Sequence, residues 1–75
     1  MKTNKKLIIT KQTKVGVLLG GISEERAISL KTGSAILNAL KSKGYNAVAI
    51  DAGRDLADRL RKEKIEVAFI ALHGR

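Results

Sequence analysis

Residues 15–26 read VGVLLGGISEER. Val15 to Leu19 is a short apolar run, rich in β-branched residues and closed by Gly20-Gly21. It reads as a strand buried on both faces, since a run this apolar leaves no side for water. Helix signals follow at once. Ser23 reads as an N-cap, and Glu24 and Glu25 as first-turn residues, where the positive end of the helix dipole favours carboxylates. A buried strand that turns on glycines into a helix is the opening unit of an α/β sheet.

The rest of the chain continues the alternation. The helix is expected from about Glu24 to Lys43. Ile36, Leu37 and Leu40 form its apolar stripe, Gly33 extends the stripe one turn back, and Gly44 stands at the C′ position. Gly33 costs up to about 1 kcal/mol relative to alanine inside a helix, so close packing against the sheet is its expected reason. A second strand is expected over Tyr45 to Asp51, with Val48 and Ile50 inside. A second helix follows over Arg54 to Lys64, with Leu56 and Leu60 as its stripe. Its acid-before-base spacings couple Asp55 with Arg59 and Asp58 with Lys62. Ile65 to Leu72 reads as a third strand, and His73-Gly74-Arg75 ends the chain.

The order βαβαβ predicts an open parallel sheet with right-handed crossovers. Ligands of such sheets bind outside the carboxyl ends of the strands. Gly20-Gly21 and His73-Gly74 both fall there, and they become neighbours if the strand order is 2-1-3, the order preferred here.

The chain has 75 residues and no cysteine, so it makes at most one small domain without disulfides. The formal charge is +8. Five lysines and no acid lie in residues 1–14, and the remainder carries ten basic and seven acidic side chains. Residues 1–13 therefore read as a basic, flexible tail and 14–75 as the domain. With Tyr45 and Phe69 as the only aromatics, no stacking face for nucleic acid is expected. No apolar run approaches the roughly 18 residues that span a membrane. The tail's Leu7-Ile8-Ile9 is too short for a secretory core, and the tail lacks the arginines of a transit peptide.

The turn resembles a nucleotide loop only in its glycines. G-x-G-x-x-G is absent, and the phosphate loop G-x4-G-K-[ST] would need a lysine where Ile22 stands. A helix-start carboxylate at the sheet mouth suits an ammonium group instead. Adjacent residues point about 100° apart, so only one of Glu24 and Glu25 is expected to face the mouth. A lone histidine and no cysteine make no metal cluster.

Two stretches together resemble a family. VGVLLGGISEERAISLKTG is similar to the amino-terminal signature of D-alanine–D-alanine ligases, G-G-x-S-x-E-R-x-[VI]-S-L-x-[ST]-G. VAFIALHGR is similar to the approach to a second signature, H-G-x-x-G-E-D-G. The resemblance covers residues 14–75 and implies a Rossmann-like domain that precedes an ATP-grasp fold. It implies an ATP-dependent joining of two D-alanines for bacterial peptidoglycan synthesis, in the cytoplasm, by a homodimer.

By motif position, Glu25 is implied to hold the ammonium of the first D-alanine, which selects it over Glu24. His73 is implied to sit near the reacting carboxylate, and Ile28 near the substrate methyl. Glu25 and His73 are the implied catalytic residues. Gly20, Gly21, Ser23, Arg26, Ser29 and Gly33 are implied supports. Ala27 departs from the family pattern, in which glutamate is common. The chain stops inside the second signature. ATP, Mg2+ or Mn2+ and the second D-alanine are therefore expected to be held by an ATP-grasp domain outside this segment, which alone should be inactive, with no metal or cofactor of its own. The faces meant for that continuation should be exposed. Two other readings stay open: a stand-alone α/β binding module with a basic tail for an acidic partner, and the front domain of another ATP-grasp ligase. The ERAISL run and the HGR ending argue against the latter.

Overall fold

The computed structural model describes residues 9–22 and 24–72. The elements run β1 (Lys14–Leu19), α1 (Arg26–Ser42), β2 (Asn46–Asp51), α2 (Leu56–Lys62) and β3 (Val67–Ile70). The three strands form one sheet in the order β2-β1-β3. Both pairings are parallel, with Val17 opposite Ala49 on one side and Phe69 on the other. The expected βαβαβ architecture and 2-1-3 order are those of the structure.

Because β1 is the middle strand, its residues from Val15 to Leu19 are all buried. Side chains alternate along a strand, so Val15, Val17 and Leu19 share one face. Gly33 of α1 lies on Leu19: a Cβ added at Gly33 would fall on the Leu19 Cβ. The glycine thus lets helix and strand approach closely, as its place in the stripe suggests. Ile65 covers the other face of β1 beside Gly16. Two right-handed crossovers running in opposite directions put α1 and α2 on opposite faces. In β2, Ile50 is fully buried as expected, whereas Val48 is only half-buried.

Several boundaries differ from the sequence reading. α1 begins at Arg26, with Glu25 at the cap position, so neither Glu24 nor Glu25 lies in the first turn. Gly20 and Gly21 take φ of +74° and +85°, and Ile22, Glu24 and Glu25 are not yet helical. The Glu25 carbonyl accepts the first helical bond, from Ser29 N–H at 3.0 Å. Ser23, the expected cap, lies outside the described residues. At the other end Gly44 N–H donates to Lys41 O and Tyr45 N–H to Leu40 O, the Schellman pattern expected of a glycine at C′.

α2 closes the same way without a glycine. Lys64 takes φ of 55°, and Lys64 and Ile65 N–H donate to Arg61 O and Leu60 O. The helix therefore ends earlier than its composition suggests. The expected Asp55–Arg59 and Asp58–Lys62 pairs are not formed; Asp58 pairs with Arg61, one turn on. β3 is shorter than expected, although Glu66 N–H to Lys14 O and Ala71 N–H to Leu18 O prolong its hydrogen bonding, each at 2.9 Å.

Coverage is uneven. Phe69, Ile70 and Leu72 are exposed on the β3 flank. Beside them Ile9, Val15, Leu40, Tyr45, Val67 and Phe69 line an open apolar cleft of about 220 Å3. The tail's residues 1–8 lie outside the described residues. Its root is docked at the carboxyl end of α1, where Lys11 Nζ donates to Lys43 O at 2.7 Å and sits 4.9 Å from the Tyr45 ring centre. Among the described residues no helix is long and apolar enough to cross a membrane.

Candidate functional site

The carboxyl ends of the strands form a mouth whose floor is backbone and whose rim is the start of α1. Ser29, fully buried, ties two strands together there. Its hydroxyl accepts the Gly20 N–H at 3.0 Å and donates to Ala71 O at 2.6 Å. One side chain thus satisfies a buried donor after β1 and a buried acceptor after β3.

Arg26 supports the turn from the other side. Its guanidinium forks onto Asp51 at the end of β2, with Nη1–Oδ1 at 2.9 Å and Nη2–Oδ2 at 2.6 Å. Nη1 also donates to Gly21 O at 2.8 Å, while Asp51 Oδ1 accepts the Gly21 N–H at 3.2 Å. Hydrogen bonds from Arg26, with the Gly21 amide behind them, hold the Asp51 carboxyl down at about 2. The same partner raises Arg26 above its already high value. Arg59 adds a smaller Coulombic pull on Asp51.

These bonds decide what the glycine turn can bind. A phosphate cradle needs free backbone N–H groups. The Gly20 amide is taken by Ser29 and the Gly21 amide by Asp51. The carboxylate beside the turn is already paired with Arg26, so the spent donors are what a phosphate would meet there. No group of three or more His, Cys, Asp or Glu that could hold a metal ion occurs among the described residues.

The mouth suits a small cation. Glu25, half-buried, occupies the cap position of α1. Residues three and four apart share a side of a helix, so Glu25 stands one turn ahead of Ile28 and Ser29. Ser29 marks that side as the one facing the ends of β1 and β3. Ile28 is about half exposed, at 51%, so an exposed apolar side chain stands about one turn from Glu25. A carboxylate one turn from an exposed branched side chain suits an ammonium with a small apolar substituent. Glu24 is exposed in the turn. Gly33 lies a full turn below, beneath the site. His73 lies outside the described residues, so its expected place by the reacting carboxylate is not seen.

The sequence reading missed Asp51. It appeared only as the last residue of a strand. The available signal was its position: an acid at the carboxyl end of the strand beside β1, in the mouth where ligands of parallel sheets bind.

Proteins similar to this chain are named D-alanine–D-alanine ligase. The chain is 63% identical over 62 residues to one from Pelotomaculum thermopropionicum, covering 83% of this chain and 20% of the relative. It is 60% identical over 65 residues to one from Geobacter sulfurreducens, covering 87% and 21%. For one from Magnetococcus marinus the match is 56% over 64 residues, covering 85% and 21%. The chain therefore spans about one fifth of the length of these relatives. No family model matches it.

Proposed function

This chain is a homologue of the amino-terminal part of D-alanine–D-alanine ligases, and from that premise we propose that it supplies the first-substrate side of such an enzyme. The proposed enzyme joins two D-alanines at the expense of ATP, with Mg2+ or Mn2+, in bacterial peptidoglycan synthesis in the cytoplasm. ATP, metal and the second D-alanine belong to a continuation of ATP-grasp type.

The work of this segment is recognition. The Glu25 carboxylate holds the ammonium of the first D-alanine, and Ile28 borders its methyl group. His73 offers a donor to the carboxylate that is to react, offsetting its charge as the bond forms. Ser29, Arg26 and the two glycines hold the turn. The observation that carries the reading is Glu25 at the cap position of α1, three residues before exposed Ile28 and next to a turn whose amides are already engaged. That mouth accepts a cation and refuses a phosphate, which is the division of labour the ligase reaction requires.

The test is Glu25→Gln in a full-length ligase carrying this segment. Loss of one charged hydrogen bond should raise the KM for the first D-alanine about ten- to a hundredfold. The KM for ATP should stay as it is. A first-site KM equal to wild type would overturn the assignment. ATP turnover by the 75-residue chain alone would overturn the division of labour.

A further inference from the structure

We infer that Asp51 and Arg26 act together as a positioning pair for Glu25, so that a residue on β2 governs how the first amino acid is bound. The inference rests on the proposed role of Glu25. The two side chains grip Gly21 by both of its polar groups: Asp51 takes its N–H and Arg26 its carbonyl. The fork between them then closes the grip into a ring. The fit is tight, because a Cβ at Gly20 would lie 2.7 Å from both Arg26 Nη1 and Asp51 Oδ1.

Arg26 is also the residue after Glu25 and the first of α1. The turn that presents Glu25 is thus fixed at both ends, at Gly20-Gly21 by Ser29 and Asp51, and at Glu25 by the helix it caps. Without the fork, Asp51 and Arg26 each keep one bond to Gly21 but lose the contact that fixes their direction. The fork is also poorly placed to serve as a mere staple. Its side chains are 45% and 40% exposed, so water screens most of its Coulombic gain. What remains is geometry, since a forked guanidinium fixes direction as well as distance.

The test uses a full-length ligase carrying this segment and three variants: Asp51→Asn, Arg26→Lys and Glu25→Gln. Asp51→Asn removes the charge and half the fork. Arg26→Lys keeps the charge and cannot fork, and it stands in if the first variant fails to fold. Both should raise the first-site KM for D-alanine about tenfold and leave the KM for ATP unchanged. In a Glu25→Gln background, Asp51→Asn should add little, because the group it positions is already disabled.

A lower melting temperature with a first-site KM within about twofold of wild type would overturn the inference, leaving the pair purely structural. Effects that multiply in the double variant would also overturn it, since Asp51 would then act independently of Glu25. Glu25→Gln alone separates the two levels. If it leaves the first-site KM unchanged, the proposed function fails and this inference falls with it. If it raises the KM while Asp51→Asn and Arg26→Lys do not, only the inference fails.

Discussion

β1 and β3 lie side by side, and both are apolar runs, VGVLL and VAFI, yet only one of them is covered. Val17 and Phe69 are register partners on the same face. Val17 is fully buried and Phe69 is 46% exposed. The difference comes from where the crossovers pass. α1 connects β1 to β2 and rests on both, and α2 returns from β2 on the opposite face. β3 comes last, so among the described residues nothing pairs with its outer edge and little lies over its faces. Apolar composition therefore specifies a strand but not its cover, and the bare flank of β3 is an exposed apolar surface.

The covered flank should break first and hardest. Gly33→Ala illustrates a contest of two effects. Helix propensity favours alanine by about 1 kcal/mol. The added methyl, however, would meet the Leu19 Cβ on the backbone side, with no flexible end to move aside. Overpacking of up to about 3 kcal/mol wins, and the net loss should be about 2 kcal/mol in urea denaturation. A stability equal to wild type would mean that α1 can lift off β1 freely.

Next is the matched pair. Val17→Ala removes two buried methyl groups and should cost about 2 kcal/mol. Phe69→Ala removes far more carbon but should cost under about 1 kcal/mol in this segment, since much of its ring already meets water. In a full-length ligase the comparison sharpens. If a continuation covers β3, Phe69→Ala should rise towards the roughly 3 kcal/mol of a buried aromatic. A cost that stays small there would show that this flank remains open.

Legibility in the sequence follows the range of the cause. The strand order 2-1-3 was preferred over 3-2-1 because it makes neighbours of the loops after β1 and β3, and the sheet has that order. Gly33 and Gly44 could be read because a glycine in a helix stripe or just past a helix end has few other uses. The late start of α1 could not, since it depends on how many residues the Gly20-Gly21 turn consumes. Lys64 could not, because a lysine at φ of 55° gives no sign of itself in the sequence. Asp51 is a harder case: its partner lies 25 positions away on another element. Ser29 was not legible as a bridge, because its acceptor, Ala71 O, is 42 positions on. Local chemistry announced the turn and the helix; the contacts that hold them are long-range.

The smallest expected effect separates the two flanks by chemistry. The turn after β1 is tied by a titrating group, and the exposed side chains of β3 are not. Folded Asp51 lies at about 2, below its ordinary value of 3.8, so in acid the unfolded chain takes up this proton more readily than the folded one. The stabilisation from the pair is therefore complete above about pH 5, and it fades as pH falls through 4 towards about 2. Its size is modest, because the pair is screened by water. Asp51→Asn should melt slightly below wild type at about pH 6, with the gap closing by about pH 2. Val17→Ala and Phe69→Ala remove no charge, so their gaps should stay flat across the same window. A pH-independent Asp51→Asn gap would mean that the amide forfeits shape rather than charge. The turn would then be held by its hydrogen-bond geometry alone, as Ser29 holds the other side of the mouth.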